Sequence, residues 1–245
     1  SLFCCTCLFA QKKAKAFYKS AKIKFESQQY ADAIDDLNKA IEAKQGFIDA
    51  YLLRGEAKFK LSSFSGAVGD FTKVIMSDTN DHRAYAWRGV AHYQLQNYED
   101  ALPDLNKAVR LNSFVPEVHF CRGNLKYNAD NYRGAIADYT RAIELRPDYR
   151  EAYHNRAEAY EAIGESSEAM VDYSKAISLE PDYFVFYYKG RSKYKQRNDA
   201  GAIEEYNKAI AAQPNDADSY YYRAVAYFNL KELKKALPDF DKAIE

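Results

Sequence analysis

The chain aligns with itself. Arg54-Gly55, Arg88-Gly89 and Arg122-Gly123 recur at intervals of 34 residues, and Arg156-Ala157, Lys189-Gly190 and Arg223-Ala224 continue the series with one 33-residue step. A second series, Ala33-Ile34, Ala67-Val68, Ala101-Leu102, Ala135-Ile136, Ala169-Met170, Ala202-Ile203 and Ala236-Leu237, keeps the same spacing. A third, from Ala40-Ile41 to Ala243-Ile244, does so too. A fixed period of this length marks stacked units, none of which buries its apolar face alone. Seven units start near Ala14, Ile48, His82, Pro116, Arg150, Tyr183 and Ala217, the last of them incomplete.

Each unit reads as two helices. Apolar residues recur at helical spacing in both halves. Small residues at the eighth and twentieth places, such as Gly55 with Ala67 and Gly89 with Ala101, let two helix backbones come close. Pro147-Asp148, Pro181-Asp182 and Pro214-Asn215 punctuate the joins between units. Pro103 and Pro238 fall early in second helices, where proline is better tolerated than at mid-helix.

The pattern Tyr85, Gly89, Tyr93, Tyr98, Ala101, Leu105, Ala108 on this period resembles the tetratricopeptide repeat family. The resemblance covers residues 14–245. It implies an all-α fold, a right-handed α-solenoid of tandem helix-turn-helix repeats whose first helices line a concave groove. It also implies partner binding rather than catalysis. Residues 1–13 stand apart as an apolar and basic N-terminal segment.

A charged pair repeats in step. The seventh place holds Ser20, Arg54, Arg88, Arg122, Arg156, Lys189 and Arg223; the twenty-third holds Asp36, Asp70, Asp104, Asp138, Asp172, Glu205 and Asp239. Two wirings are open: within a repeat, or from each acid to the cation of the next repeat. The second uses every cation and explains why Ser20 suffices in repeat one, so it is the wiring expected. Regular pairing with acids argues against these arginines as anion ligands.

Lys plus Arg and Asp plus Glu both number 35, and a balanced charge disfavours nucleic acid as a partner. Cys4, Cys5 and Cys7 crowd four residues, with Cys121 alone elsewhere. That is neither a disulfide framework nor a metal-finger spacing, and it fits apolar packing in a reducing, cytoplasmic compartment. Residues 1–10, SLFCCTCLFA, are too few to cross a bilayer, which takes roughly 20 residues. They read as an anchor stub, a palmitoylation site or a packing helix, and membrane contact is expected only through them.

Chemistry has no foothold in the pattern. The four histidines, His82, His92, His119 and His154, do not form an HExxH motif, and no phosphate-binding or nucleophile-elbow motif occurs. The chain is read as a non-enzyme with no catalytic residue, no metal site and no cofactor.

The family resemblance carries groove-lining roles onto places two, five, nine, twelve and thirteen. Places five and twelve are mostly aromatic here: Tyr18 and Phe25, Phe59, Tyr93, Phe120 and Tyr127, Tyr187 and Tyr194, Tyr221 and Phe228. These slots account for much of the excess of 22 Tyr and 14 Phe. Rings there pack between first helices, or present edges and hydroxyls to a peptide, or both. Specificity belongs where repeats differ. The expected protein-binding groove is Asn124, Tyr127, Asn128, Glu151, His154, Glu158, Glu161, Tyr187, Arg191 and Tyr194, across repeats four to six, and it suits a peptide of mixed charge. The convex face is the alternative surface. The clamp by which some family members hold acidic chaperone tails is incomplete: Asn124 and Asn155 match, but Phe120 stands where lysine is needed, and repeat six offers Phe184 and Tyr188.

The function expected is a non-catalytic protein–protein interaction scaffold within a multi-subunit assembly. The alternatives are a membrane-tethered co-chaperone or import receptor, or the substrate-selecting arm of an enzyme whose catalytic domain lies outside this chain.

Overall fold

The computed structural model describes the backbone of residues 2–179 and 183–244, with side chains for 9–179 and 186–244. The side chains of Cys4, Cys5, Cys7 and Phe184, and the Pro181-Asp182 turn, lie outside the described residues. Among those described there are helices and no strands. The chain divides into two compact units, one through Asp130 and one from Asn131.

The first unit holds α1 (Leu2–Glu26), α2 (Tyr30–Ala43), α3 (Ile48–Lys60), α4 (Phe64–Ser77), α5 (His82–Gln94), α6 (Tyr98–Arg110) and α7 (Pro116–Asn128). Odd-numbered helices are the first helices of their repeats. The helix α1 runs unbroken through residue 13 into repeat one. Here α1 packs on α2, α3 on α4 and α5 on α6, and each of these second helices packs on the next first helix. Successive first helices also touch, α1 with α3, α3 with α5 and α5 with α7, whereas among the described residues successive second helices do not. Within this unit the first-helix face is therefore the inner one.

The second unit holds α8 (Tyr132–Leu145), α9 (Arg150–Ala162), α10 (Ser166–Leu179), α11 (Tyr183–Lys195), α12 (Asp199–Ala212), α13 (Ala217–Asn229) and α14 (Leu233–Ile244). It repeats the same pairings, and α11 touches α13.

The core is built from few slots. The small residues Ala33, Ala67, Ala101, Ala135, Ala169, Ala202 and Ala236 are all buried, one per repeat. The twenty-fourth place fills the space between the two helices with Leu37, Phe71, Leu105, Tyr139, Tyr173 and Tyr206. Opposite it stands the eighth place. A Cβ on Gly55 would lie 2.6 Å from the Phe71 ring, and one on Gly190 would lie 2.5 Å from the Tyr206 ring. The larger ring fits because the glycine leaves room for it.

The turn from first to second helix is the same throughout. Its fifteenth-place residue is left-handed: Gln28, Ser62, Gln96, Asp130, Gly164, Arg197 and Lys231 all have positive φ. The next residue's N–H then donates back to the eleventh-place carbonyl, as in Ser63 to Lys58 and Asn97 to His92, which closes the helix with a Schellman bond. Second helices start on Asn131 and Asn198, whose side chains accept from Gly134 N–H at 3.1 Å and Gly201 N–H at 3.0 Å.

The repeated charge pair corrects the expected wiring. Arg54 donates to Asp70 of its own repeat from Nε at 2.9 Å and Nη2 at 2.6 Å. Arg88 does the same to Asp104, Arg156 to Asp172 and Arg223 to Asp239. The pairing runs within the repeat, because the two helices of one repeat face each other directly across the seventh and twenty-third places. What crosses between repeats is the third guanidinium nitrogen. Its acceptor is the neutral twenty-fifth-place side chain of the preceding repeat: Asn38 for Arg54, Thr72 for Arg88, Asn106 for Arg122, Thr140 for Arg156 and Asn207 for Arg223. One arginine thus ties its own helix pair and the repeat behind it.

Where the seventh place is not arginine, a lysine four residues on takes over. Asp36 accepts from Ser20 at 2.7 Å and meets Lys24 at 2.6 Å. Glu205 pairs with Lys193 at 3.0 Å, while Lys189 at the seventh place of the same repeat is exposed. Asp70 has both, Arg54 and Lys58. In Asp36 and Glu205 burial pushes the carboxyl up, but the hydrogen-bonded cations outweigh it and hold both groups below their ordinary range.

Candidate interaction surface

Seven of the ten expected groove residues lie in the second unit, on α9 and α11: Glu151, His154, Glu158 and Glu161 on the first, Tyr187, Arg191 and Tyr194 on the second. Their spacing of three or four residues puts them on one stripe of each helix. Asn124, Tyr127 and Asn128 belong to α7 of the other unit. There the Asn124 amide donates to the Tyr93 hydroxyl at 2.9 Å, Tyr127 is half-buried and Asn128 is exposed.

The α9–α11 stripe is organised by a ring cluster. His154 lies 4.2 Å from Tyr188 and 5.6 Å from Tyr173, centroid to centroid. Tyr173 and Tyr188 stack within 7° of parallel at 5.7 Å. Tyr173 comes up from α10, passes between the first helices and donates its hydroxyl to Glu161 Oε2 at 3.0 Å. Lys195 pairs with the same Glu161 oxygen. His154 Nε2 stands 3.5 Å from Glu158 Oε1. Burial pushes the Glu158 carboxyl up, yet His154, Arg191 and Lys195 together hold it below its ordinary range. It remains an anion at neutral pH.

Arg191 sits half-buried among tyrosines. Its guanidinium is 5.5 Å from the Tyr222 ring centre, a cation–π distance. It makes no ion pair among the described residues, in contrast to the seventh-place arginines. Burial pushes the hydroxyl of Tyr188 up to about 12, and those of Tyr173, Tyr187 and Tyr206 higher still, so all four stay protonated. Tyr206 is fully buried. Tyr187, expected to line the groove, is 7% exposed and packs against Tyr206 and Tyr222. Tyr194 is half-buried beside Tyr222 at 6.5 Å. Glu151 is exposed and pairs with Arg150 at 3.3 Å.

Sequence reasoning missed Tyr173, Tyr188 and Tyr222. The signal was present at the twenty-fourth place, where the core residue changes from Leu37, Phe71 and Leu105 to Tyr139, Tyr173 and Tyr206. A hydroxyl on a core ring has to reach a polar surface or partner. In Tyr173 that surface is the α9–α11 stripe.

No group of histidines, cysteines and carboxylates that could hold a metal occurs among the described residues. Among them too, no helix is long and apolar enough to cross a membrane. Cys121 is buried, and burial pushes its thiol well above the ordinary value, which makes it a packing residue rather than a nucleophile.

Models of the tetratricopeptide repeat match residues 14–47, 82–114, 151–183 and 187–245, and a TPR repeat model matches 123–164. The chain is a tetratricopeptide repeat protein. No curated protein matches it closely enough to count as a relative. Similar solved structures include YrrB, described as a TPR protein with an unusual peptide-binding site, at 21% identity over 80% of this chain and 98% of that one, with a TM-score of 0.64. The APC/C hetero-tetramer Cut9–Hcn1 is similar at 17% identity over 87% of this chain and 42% of that one, with a TM-score of 0.71. MamA is similar at 22% identity over 69% of this chain and 93% of that one, with a TM-score of 0.58. At these identities the likeness establishes the repeat fold.

Proposed function

We propose that this tetratricopeptide repeat protein is a non-catalytic scaffold that binds peptide or protein segments on its first-helix face, as a cytoplasmic subunit of a larger assembly. The observation that carries this reading is the α9–α11 stripe. Opposite charges stand there half-buried, tyrosine hydroxyls remain protonated, and Arg191 has no ion-pair partner among the described residues. An interior needs none of this, since apolar side chains would pack the same helices. A partner offering both charges and extended backbone would meet it. The class of partner has support from similar folds, of which one is described by a peptide-binding site and another by a multi-chain complex. The α7 residues Asn124, Tyr127 and Asn128 extend the proposal to the first unit.

The test is capture of partners from extracts of the source cell by the whole chain and by a Glu158→Lys, Arg191→Glu variant. Loss of the captured proteins at an unchanged melting temperature supports the reading. An unchanged set of captured proteins discards the first-helix face as the binding surface.

A further inference from the structure

The first-helix face of the first unit holds a pocket of about 200 Å³, lined by Phe25, Glu56, Phe59, Lys60 and Trp87. It spans three repeats, because these residues sit on α1, α3 and α5. The aromatic walls are fixed by their neighbours. Phe59 lies 5.1 Å from Trp87 and 5.1 Å from Phe64, and Phe25 is held edge-on by Tyr30 at 5.3 Å.

Glu56 is the anomaly. It is half-buried, and its carboxylate has no hydrogen bond or ion pair among the described residues. Burial pushes the carboxyl up, and the field of Arg83 offsets this only in part. Arg83 is itself engaged with Asp81 at 3.0 Å. The fold does not ask for an acid here: Val90 and Val225 occupy the same ninth place in repeats three and seven. A carboxylate kept desolvated and unpaired costs stability without a structural return. Lys60, exposed at the rim, leaves it unpaired.

We propose that this pocket receives a basic side chain, arginine or lysine, from a bound peptide. The cation lies against Glu56, and the stem or guanidinium face lies on Phe25, Phe59 and Trp87. Aromatic faces attract cations through their quadrupole, and a charge-assisted bond to a carboxylate adds direction. The volume admits the end of one side chain and falls short of the 300 Å³ or so typical of small-molecule sites. This inference rests on the reading of the first-helix face as peptide-binding.

Trp87 is the chain's single tryptophan, so its fluorescence reports on the pocket. The full chain is titrated with capped Gly-Ser peptides carrying one central arginine, lysine or norleucine. The arginine or the lysine peptide should shift the emission saturably, and norleucine should not. Glu56→Gln should weaken the response about tenfold, the scale of a lost charge-assisted contact. Glu56→Val, which copies repeats three and seven, guards against misfolding, and neither variant should melt below the wild type. An equal response to norleucine, an undiminished response in both variants, or no response to either basic peptide would overturn the proposal. If partner capture depends on Glu158 and Arg191 while Trp87 ignores these peptides, the scaffold reading stands and the pocket is discarded.

Discussion

The seventh-place arginines show how one residue sets both helix pairing and repeat stacking. Arg88 gives two nitrogens to Asp104 and one to Thr72 behind it. The pair is mostly shielded from water, so removing one partner strands a charge. Arg88→Met should cost about 3 kcal/mol by denaturant unfolding, and Arg88 should couple strongly to Asp104 and weakly to Asp70 in double-mutant cycles. Strong Asp70–Arg88 coupling would restore the between-repeat wiring. At the exceptions the cation has moved. Lys193→Met should destabilise the chain, whereas Lys189→Met should stay within about 0.5 kcal/mol. The recurrence of acid and base was legible in the sequence. Their partnership was not, because two wirings share one spacing and only the distance between α5 and α6 decides. Lys24, Lys58 and Lys193 at the eleventh place were a readable clue to the substitution in repeats one and six.

At the scale of the element, the helices followed from periodicity, and their closure did not. Among the described residues the helices α2 to α14 fall where apolar spacing and the self-alignment put them, and α1 extends beyond its repeat to Leu2. The left-handed turn residue escaped notice because Gln28, Ser62, Gln96, Arg197 and Lys231 are not residues that mark such a turn; of the seven, Asp130 and Gly164 are. For an L-residue this conformation costs roughly 1–2 kcal/mol. Gln96→Gly should therefore raise the melting temperature and Gly164→Ala should lower it, each by about 1 kcal/mol of unfolding free energy. The candidate surface was legible as a stripe of unlike residues on α9 and α11. Its organising rings were hidden because Tyr173 belongs to a second helix and reads as core.

For the molecule as a whole, charge balance hides groups that pull in opposite directions. In Asp36, Asp81 and Glu205 burial pushes the carboxyl up, and bonds from lysine, arginine, hydroxyl or backbone groups hold it below the ordinary value. Their stabilisation is complete above the unfolded carboxyl pKa, near 4, and is lost as pH falls through the lower folded value. Glu56 has the reverse sign. Its carboxyl is raised, so it opposes folding once pH climbs past that value. Melting temperature against pH should fall steeply on the acid side, and Glu56→Gln should stabilise the chain at neutral pH more than at pH 4. In the proposed function the first helices carry the partner. Hydrogen–deuterium exchange of the chain with and without a captured partner tests it most directly. New protection is expected on α9 and α11, with α10 and α12 unchanged. Protection confined to α10 and α12, with α9 and α11 exchanging as in the free chain, would contradict it.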